Sequence, residues 1–134
     1  MNHLAQQITA NSDFFYKRKD LPIIKIGDKV KVLNYLELPT TDDGNSKDKK
    51  KKKERLQLYE GVVISRHEKK VTVNSTITVR KMFQGGGIEK VFLLNSPWIK
   101  SITVSSSAKI KRGKLYYLRK RTGKSARLKT LFNK

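Results

Sequence analysis

The chain has 134 residues, enough for one domain with one modest core, and no cysteine, which excludes disulfides, thiolate metal sites and a cysteine nucleophile. Its 31 lysines and arginines against 11 aspartates and glutamates leave a net charge of +20, so the molecule repels itself wherever a counter-anion is missing and demands a polyanionic partner. No apolar run approaches the roughly 18 residues of a membrane span, and the N-terminus lacks the apolar core of a secretory signal.

Leu4, Ile8 and Phe15 fall at i, i+4 and i+11, one face at helical periodicity, which predicts a short N-terminal helix within residues 1–20. After Pro22 the period changes. Ile26-Gly27-Asp28 signals a turn, and Lys29-Val30-Lys31-Val32 alternates polar and apolar residues as a half-buried strand does. Short runs rich in Val, Ile, Thr and aromatics follow at 56–66, 71–73, 76–82, 90–94 and 98–104, parted by polar or glycine-rich turns. This spacing predicts a mainly β fold, a small barrel of five or six strands across residues 23–108. The whole chain, 1–134, reads as a single domain whose barrel is followed by a basic C-terminal extension, 109–134.

Two stretches interrupt the strands. Residues 39–55, PTTDDGNSKDKKKKKER, carry no apolar side chain beyond the proline, so burial cannot offset the entropy of ordering them and they form a loop insertion. Its lysines either grip phosphate or stay solvated. Gln84-Gly85-Gly86-Gly87 is a glycine turn, where Gly85, Gly86 and Gly87 serve a tight hairpin or let backbone N–H groups approach an anion closely.

No acid follows Glu89, and KRGKLYYLRKRTGKSARLK, from Lys111 to Lys129, concentrates cations without a single carboxylate. Arginine offers a planar fork suited to phosphate and lysine a mobile point charge, while interleaved tyrosines stack on bases or fill a core. The stretch therefore marks an RNA-binding surface. Its candidates are Lys109, Lys111, Arg112, Lys114, Tyr116, Tyr117, Arg119, Lys120, Arg121, Lys124, Arg127 and Lys129. Leu115 and Leu118 are three apart, so residues 114–120 are predicted to make about two helical turns with the leucines on the barrel and the cations outward. Tyr116 and Tyr117 then point different ways. Without its polyanion this extension is expected to be partly disordered.

Enzymatic patterns fail. Gly123-Lys124-Ser125 ends like a phosphate-binding P-loop, but that pattern needs a glycine where Leu118 stands. Asp28, Glu60, Glu68 and Glu89 are scattered without the paired spacing of metal or acid-base chemistry, and Glu60 and Glu89 are expected to pair with nearby lysine or arginine. His67 has no nucleophile or ligand partner in sight, and Asn74-Ser75-Thr76 matches the glycosylation sequon by chance. No enzyme activity and no cofactor are expected.

Several blocks occur in a fixed order: Tyr59-Glu60-Gly61-Val62-Val63-Ile64, Thr78-Val79-Arg80-Lys81, Gly87-Ile88-Glu89-Lys90-Val91-Phe92, Ser96-Pro97, Lys114-Leu115-Tyr116-Tyr117-Leu118-Arg119 and Gly123-Lys124-Ser125-Ala126-Arg127. Together they closely resemble the bacterial-type large-subunit ribosomal protein nineteen family. The resemblance implies an SH3-like β-barrel with basic extensions, binding to large-subunit ribosomal RNA, and a place at the small-subunit interface in an intersubunit bridge. It also implies large-subunit ribosomal proteins three and fourteen as neighbours. Carried onto matching positions, the RNA-facing residues are Arg80 and Lys81, the Gly85 to Gly87 turn, and Lys114, Arg119, Lys124 and Arg127. Three departures stand out: Ile26 where the family has proline, Gly113 where it has alanine, and the lysine-rich insertion in place of a shorter connection.

A free-standing SH3-like RNA-binding factor is the alternative reading, and a small cationic nuclease would require an acidic cluster that the sequence lacks. The eight arginines against 23 lysines fit an AT-rich gene, as in a plastid or an AT-rich bacterium. The expected location is the ribosome of a chloroplast stroma or a bacterial cytoplasm.

Overall fold

The structure, a computed structural model, describes residues 20–37, 54–67 and 74–131. The predicted N-terminal helix, most of the lysine-rich insertion and the run 71–73 lie outside the described residues.

Five strands follow one another: β1 (Lys29–Tyr35), β2 (Leu56–His67), β3 (Thr76–Phe83), β4 (Gly86–Leu93) and β5 (Ile99–Ser106). They form one antiparallel sheet in the order β4-β3-β2-β1-β5. Among the described residues no pairing joins β4 to β5, so the sheet is open where a closed barrel was expected. Strand number and spacing are legible in a sequence, but closure depends on tilt and stagger, which alternation does not encode.

Alternation sets the core. Val30 and Val32 of β1, Tyr59 and Val63 of β2, Ile77 and Val79 of β3, Phe92 of β4 and Ile99 and Ile102 of β5 are buried together with Ile24 and Leu94. Lys29 and Lys31, which alternate with the β1 valines, face outward, as period two requires. Tyr59 packs edge-to-face on Phe92 with ring centroids 5.4 Å apart, and its hydroxyl donates to the Ile88 carbonyl at 3.0 Å. Burial of its hydroxyl, with the Glu89 charge nearby, raises the Tyr59 pKa against the smaller opposing pull of Arg80.

The long β2 strand changes partners at its middle. Residues Leu56 to Val62 pair with β1, and Val62 to His67 pair with β3. Gly61 sits at that junction, where a Cβ would lie 2.5 Å from the Arg80 carbonyl oxygen of β3. Two residues on, the β2–β3 register slips between Val63 and Ser65. The bulge leaves Ile64 as an extra residue, so adjacent Val63 and Ile64 are both fully buried, in different cores.

The second core receives the C-terminal extension. Ile64, Leu115 and Leu118 form it, with Ile26, Ile110, Tyr117, Ala126 and Leu128 packed around them. The Leu115 amide donates to the Ile64 carbonyl at 2.8 Å. The predicted tyrosine helix is a 3₁₀ helix, Tyr116–Lys120, followed by a second at Gly123–Ala126. In 3₁₀ geometry residues three apart eclipse one another, so Leu115 and Leu118 line up on one edge even though the segment is too short and too cationic for an α-helix. Its first turn carries no acid and no side-chain cap. The segment then returns to its origin through an Ala108–Thr130 bridge, flanked by hydrogen bonds from Lys109 N to Lys129 O at 3.0 Å and Leu131 N to Ser107 O at 2.7 Å. The extension expected to be partly disordered is thus given a hydrophobic anchor and two fixed ends.

Candidate nucleic-acid interface

The predicted cations gather around the first 3₁₀ helix. On one side, a cleft of about 520 Å³ is lined by Lys109, Ile110, Lys111, Arg112, Leu115, Tyr117, Arg121 and Lys129. Five of these eight residues are cations and none is an acid. The arrangement follows from the chain's return at Ala108–Thr130, which brings Lys109 beside Lys129. Tyr117, half-buried in the second core, has the guanidinium of Arg112 5.0 Å and that of Arg121 4.8 Å from its ring centroid. Each such contact contributes about 0.5–1 kcal/mol where solvent is close. Two flexible arginines are thereby held at one cleft.

Tyr116 points the other way, as expected from its adjacent position. Its hydroxyl donates to Ser65 Oγ at 3.2 Å, while Arg119 and Lys114 approach its ring at 4.5 and 5.6 Å. Each tyrosine therefore carries two cations, and the four cations face opposite sides of the helix.

Arg119 does not stand alone. Its Nε donates to Glu89 Oε1 at 2.9 Å and its Nη2 to Oε2 at 2.8 Å, while Arg80 Nη1 reaches Oε1 at 3.0 Å. The expected pairing of Glu89 with a nearby cation is a pairing with two. The Arg119 hydrogen bonds first, then its charge and the contact with Arg80, hold the Glu89 carboxyl below its ordinary pKa despite opposing desolvation. Glu60 meets Lys29 at 2.9 Å, and that hydrogen bond likewise lowers its pKa. Arg80, one of the predicted RNA-facing residues, is largely enclosed, with only 12% of its side chain exposed.

The glycine turn resolves into a hairpin. Gln84 and Gly85 have φ of 48° and 80°, the left-handed pair of a two-residue type I′ turn between Phe83 and Gly86. Gly85 and Gly86 are exposed at the tip. Gly87 has a different duty: the Arg80 side chain lies across it, and a Cβ there would sit 2.0 Å from Arg80 Nη2. Lys81 leans over the Tyr59 ring at 4.6 Å, and both Arg80 and Lys81 line a second cleft of about 420 Å³ with Lys29, Glu60, Gly61, Val62, Met82, Leu118 and Ala126. Lys120, Lys124 and Arg127 are exposed on the outer rim of the extension.

The structure thus brings Lys109, Lys111, Arg112, Tyr117, Arg121 and Lys129 into one cleft, and joins Arg80, Arg119, Tyr116 and Lys114 in a second group through Glu89 and the Tyr116 ring. The sequence reading missed Ile110, Ala126 and Leu128, which seat the extension, because each is a lone apolar residue among charges. The consecutive apolar residues Val63 and Ile64 were the available signal for the bulge. Among the described residues no group of three or more His, Asp or Glu side chains converges as a metal site would require. No helix of the described residues is long and apolar enough to cross a membrane.

Comparison with known proteins gives a consistent result. The family described as Ribosomal protein L19 matches residues 4–131. A protein of Mesostigma viride named large ribosomal subunit protein bL19c is 49% identical over 133 residues, covering 99% of this chain and 97% of its own. The bL19c of Gracilaria tenuistipitata var. liui is 42% identical, covering 98% and 96%. A bacterial relative named bL19, from Cyanothece sp., is 42% identical over 97% of each chain.

Proposed function

The chain belongs to the ribosomal protein L19 family, and from that premise we propose that the cationic extension binds large-subunit ribosomal RNA and helps form the bridge to the small subunit during translation. Members of this family are structural, non-enzymatic constituents of the large ribosomal subunit, and this chain is one of them. Its partners are accordingly ribosomal RNA and ribosomal proteins, and its location is a plastid or bacterial ribosome.

One observation supports RNA contact most directly: the cleft around Tyr117 concentrates five cations without any acid. In an isolated chain those charges repel one another. Phosphates of a folded RNA relieve the repulsion, and an RNA whose shape fixes several phosphates at once relieves it selectively. The contact surface comprises Lys109, Lys111, Arg112, Tyr117, Arg121 and Lys129 in the cleft, and Lys114, Tyr116, Arg119, Lys120, Lys124 and Arg127 on the helix and outer rim. The hairpin side contributes Lys81 and the Gly85–Gly87 tip, with Arg80 behind them. Within this reading the open sheet is the larger part of an SH3-like barrel, and large-subunit ribosomal proteins three and fourteen are the neighbouring proteins.

A sucrose gradient of native lysate at high salt tests the proposal, with the protein quantified across free, small-subunit and large-subunit fractions. Stoichiometric retention on the large subunit is expected. A protein found mostly free would overturn it in favour of an independent RNA-binding factor.

A further inference from the structure

Glu89 is the last acid of the sequence and stands among arginines. Simple electrostatics makes it a defect in a phosphate-binding face, because it repels the ligand. Its geometry argues otherwise.

A guanidinium presents five N–H groups in one plane, with a side-on fork at Nε and one Nη and an end-on fork at the two Nη atoms. Arg119 spends its side-on fork on Glu89: Nε reaches Oε1 at 2.9 Å and Nη2 reaches Oε2 at 2.8 Å. The end-on fork takes part in no bond to Glu89 through Nη1, and half of the Arg119 side chain is exposed. The Tyr116 ring, 4.5 Å from the guanidinium carbon, supports the same group from one side. Glu89 is itself held, because Arg80 Nη1 meets Oε1 at 3.0 Å and the Arg80 side chain lies across Gly87, where no Cβ intervenes. The chain of contacts therefore runs from the sheet through Arg80 and Glu89 to Arg119.

We propose that Glu89 is a positioning residue that holds the end-on fork of Arg119 toward solvent as a preformed seat for a single RNA phosphodiester. This inference rests on the RNA-binding reading above. Two guanidiniums against one carboxylate keep the group cationic, so the phosphate is still attracted. The bidentate geometry that carboxylates share with phosphates is already imposed on Arg119 before RNA arrives. Without Glu89, the arginine must be ordered at the moment of binding, a cost of about two- to tenfold in affinity for one long side chain.

The test measures binding of the full chain to protein-free large-subunit ribosomal RNA, with salt titrations. Arg119→Gln should weaken binding by about tenfold and reduce the salt slope by about one. Glu89→Gln should weaken it by about two- to tenfold although it removes a negative charge. In the double variant, loss of Glu89 should change affinity by less than about twofold relative to Arg119→Gln alone, since it acts through Arg119. Glu89→Asp keeps the charge but shortens the reach, and is expected to fall between Glu89→Gln and the parent. Glu60→Gln, which removes an acid paired with Lys29, should leave binding unchanged or slightly tighter. Binding by Glu89→Gln or Glu89→Asp equal to or tighter than the parent overturns the proposal and leaves the RNA-binding reading standing. So does an equal Glu89 effect with and without Arg119, which would mean that the residue acts only through the fold. A parent chain that does not bind the RNA overturns both.

Discussion

Leu115 donates its amide to the carbonyl of Ile64 at 2.8 Å, and both side chains are buried in the same small core. The bulge in β2 supplies both halves of this contact: it turns Ile64 toward the extension and leaves its carbonyl free of the β3 ladder. A strand irregularity is thus the socket of the basic segment. Ile64→Ala is expected to cost about 2–5 kcal/mol by leaving a cavity, and to raise amide exchange at Leu115 and Leu118 more than at Val30 or Val32. Uniform acceleration of exchange across both cores would show that the extension is not a separate unit.

Gly61 and Gly113 should respond to alanine with opposite signs. At Gly61 the new methyl meets the Arg80 backbone at 2.5 Å, and forcing β2 from β3 is expected to destabilise by about 1–3 kcal/mol or more. At Gly113 nothing lies within 4 Å and φ is not positive. There alanine narrows the unfolded ensemble and should stabilise by about 0.4–1 kcal/mol. Denaturant unfolding of the two variants checks both; stabilisation by Gly61→Ala would contradict the close approach of the strands.

The depressed pKa of Glu89 sets a direction for acid sensitivity. Its folded value lies below the ordinary 4.5 because Arg119, then Arg80, favour the carboxylate. The stabilisation is therefore fully present above about pH 4.5 and is lost as pH falls through the folded value. Glu60, held down by Lys29, adds in the same direction. Glu89→Gln should lower stability at pH 7 and flatten the decline below pH 4.5, as followed by unfolding midpoints at several pH values. An unchanged acid limb would mean that the ion pairs seen here do not persist in solution.

Association with RNA should be steeply dependent on salt. Engagement of about six to ten phosphates predicts a loss of roughly three to five orders of magnitude in affinity between about 50 and 200 mM salt. Replacing Arg112 and Arg121 together by glutamine, which strips the cations from Tyr117, should lower the slope by about two. A flat salt response would contradict the electrostatic account of the cleft.

Much of this was legible in the sequence, and the failures share a cause. Alternation at Lys29-Val30-Lys31-Val32 and the turn at Ile26-Gly27-Asp28 appear as read, because period two and glycine at φ of 90° are local properties. The glycine run was open between a hairpin and an anion cradle; the φ angles of Gln84 and Gly85 identify the hairpin, while Gly87 is explained by Arg80, seven residues away. Leu115 and Leu118 were correctly turned inward, but the helix type was not legible, since spacing three suits both α and 3₁₀ geometry. Ile110 and Leu128 depend on the chain returning to Ala108, a non-local event without periodic signature. The cation-rich composition pointed to the extension; only packing shows which cations share a cleft and which pair with Glu89.

The bridge between Ala108 and Thr130 changes what the basic segment is topologically. With both ends fastened, it is a closed handle, and the entropy of closing it is met within the free protein. A protease that nicks the exposed Lys120-Arg121 bond would cut the covalent chain without freeing either piece, since Leu115 and Leu118 hold one side and Ala126, Leu128 and the bridge hold the other. The severed protein should still migrate as one particle under native conditions and separate into two fragments only in denaturant.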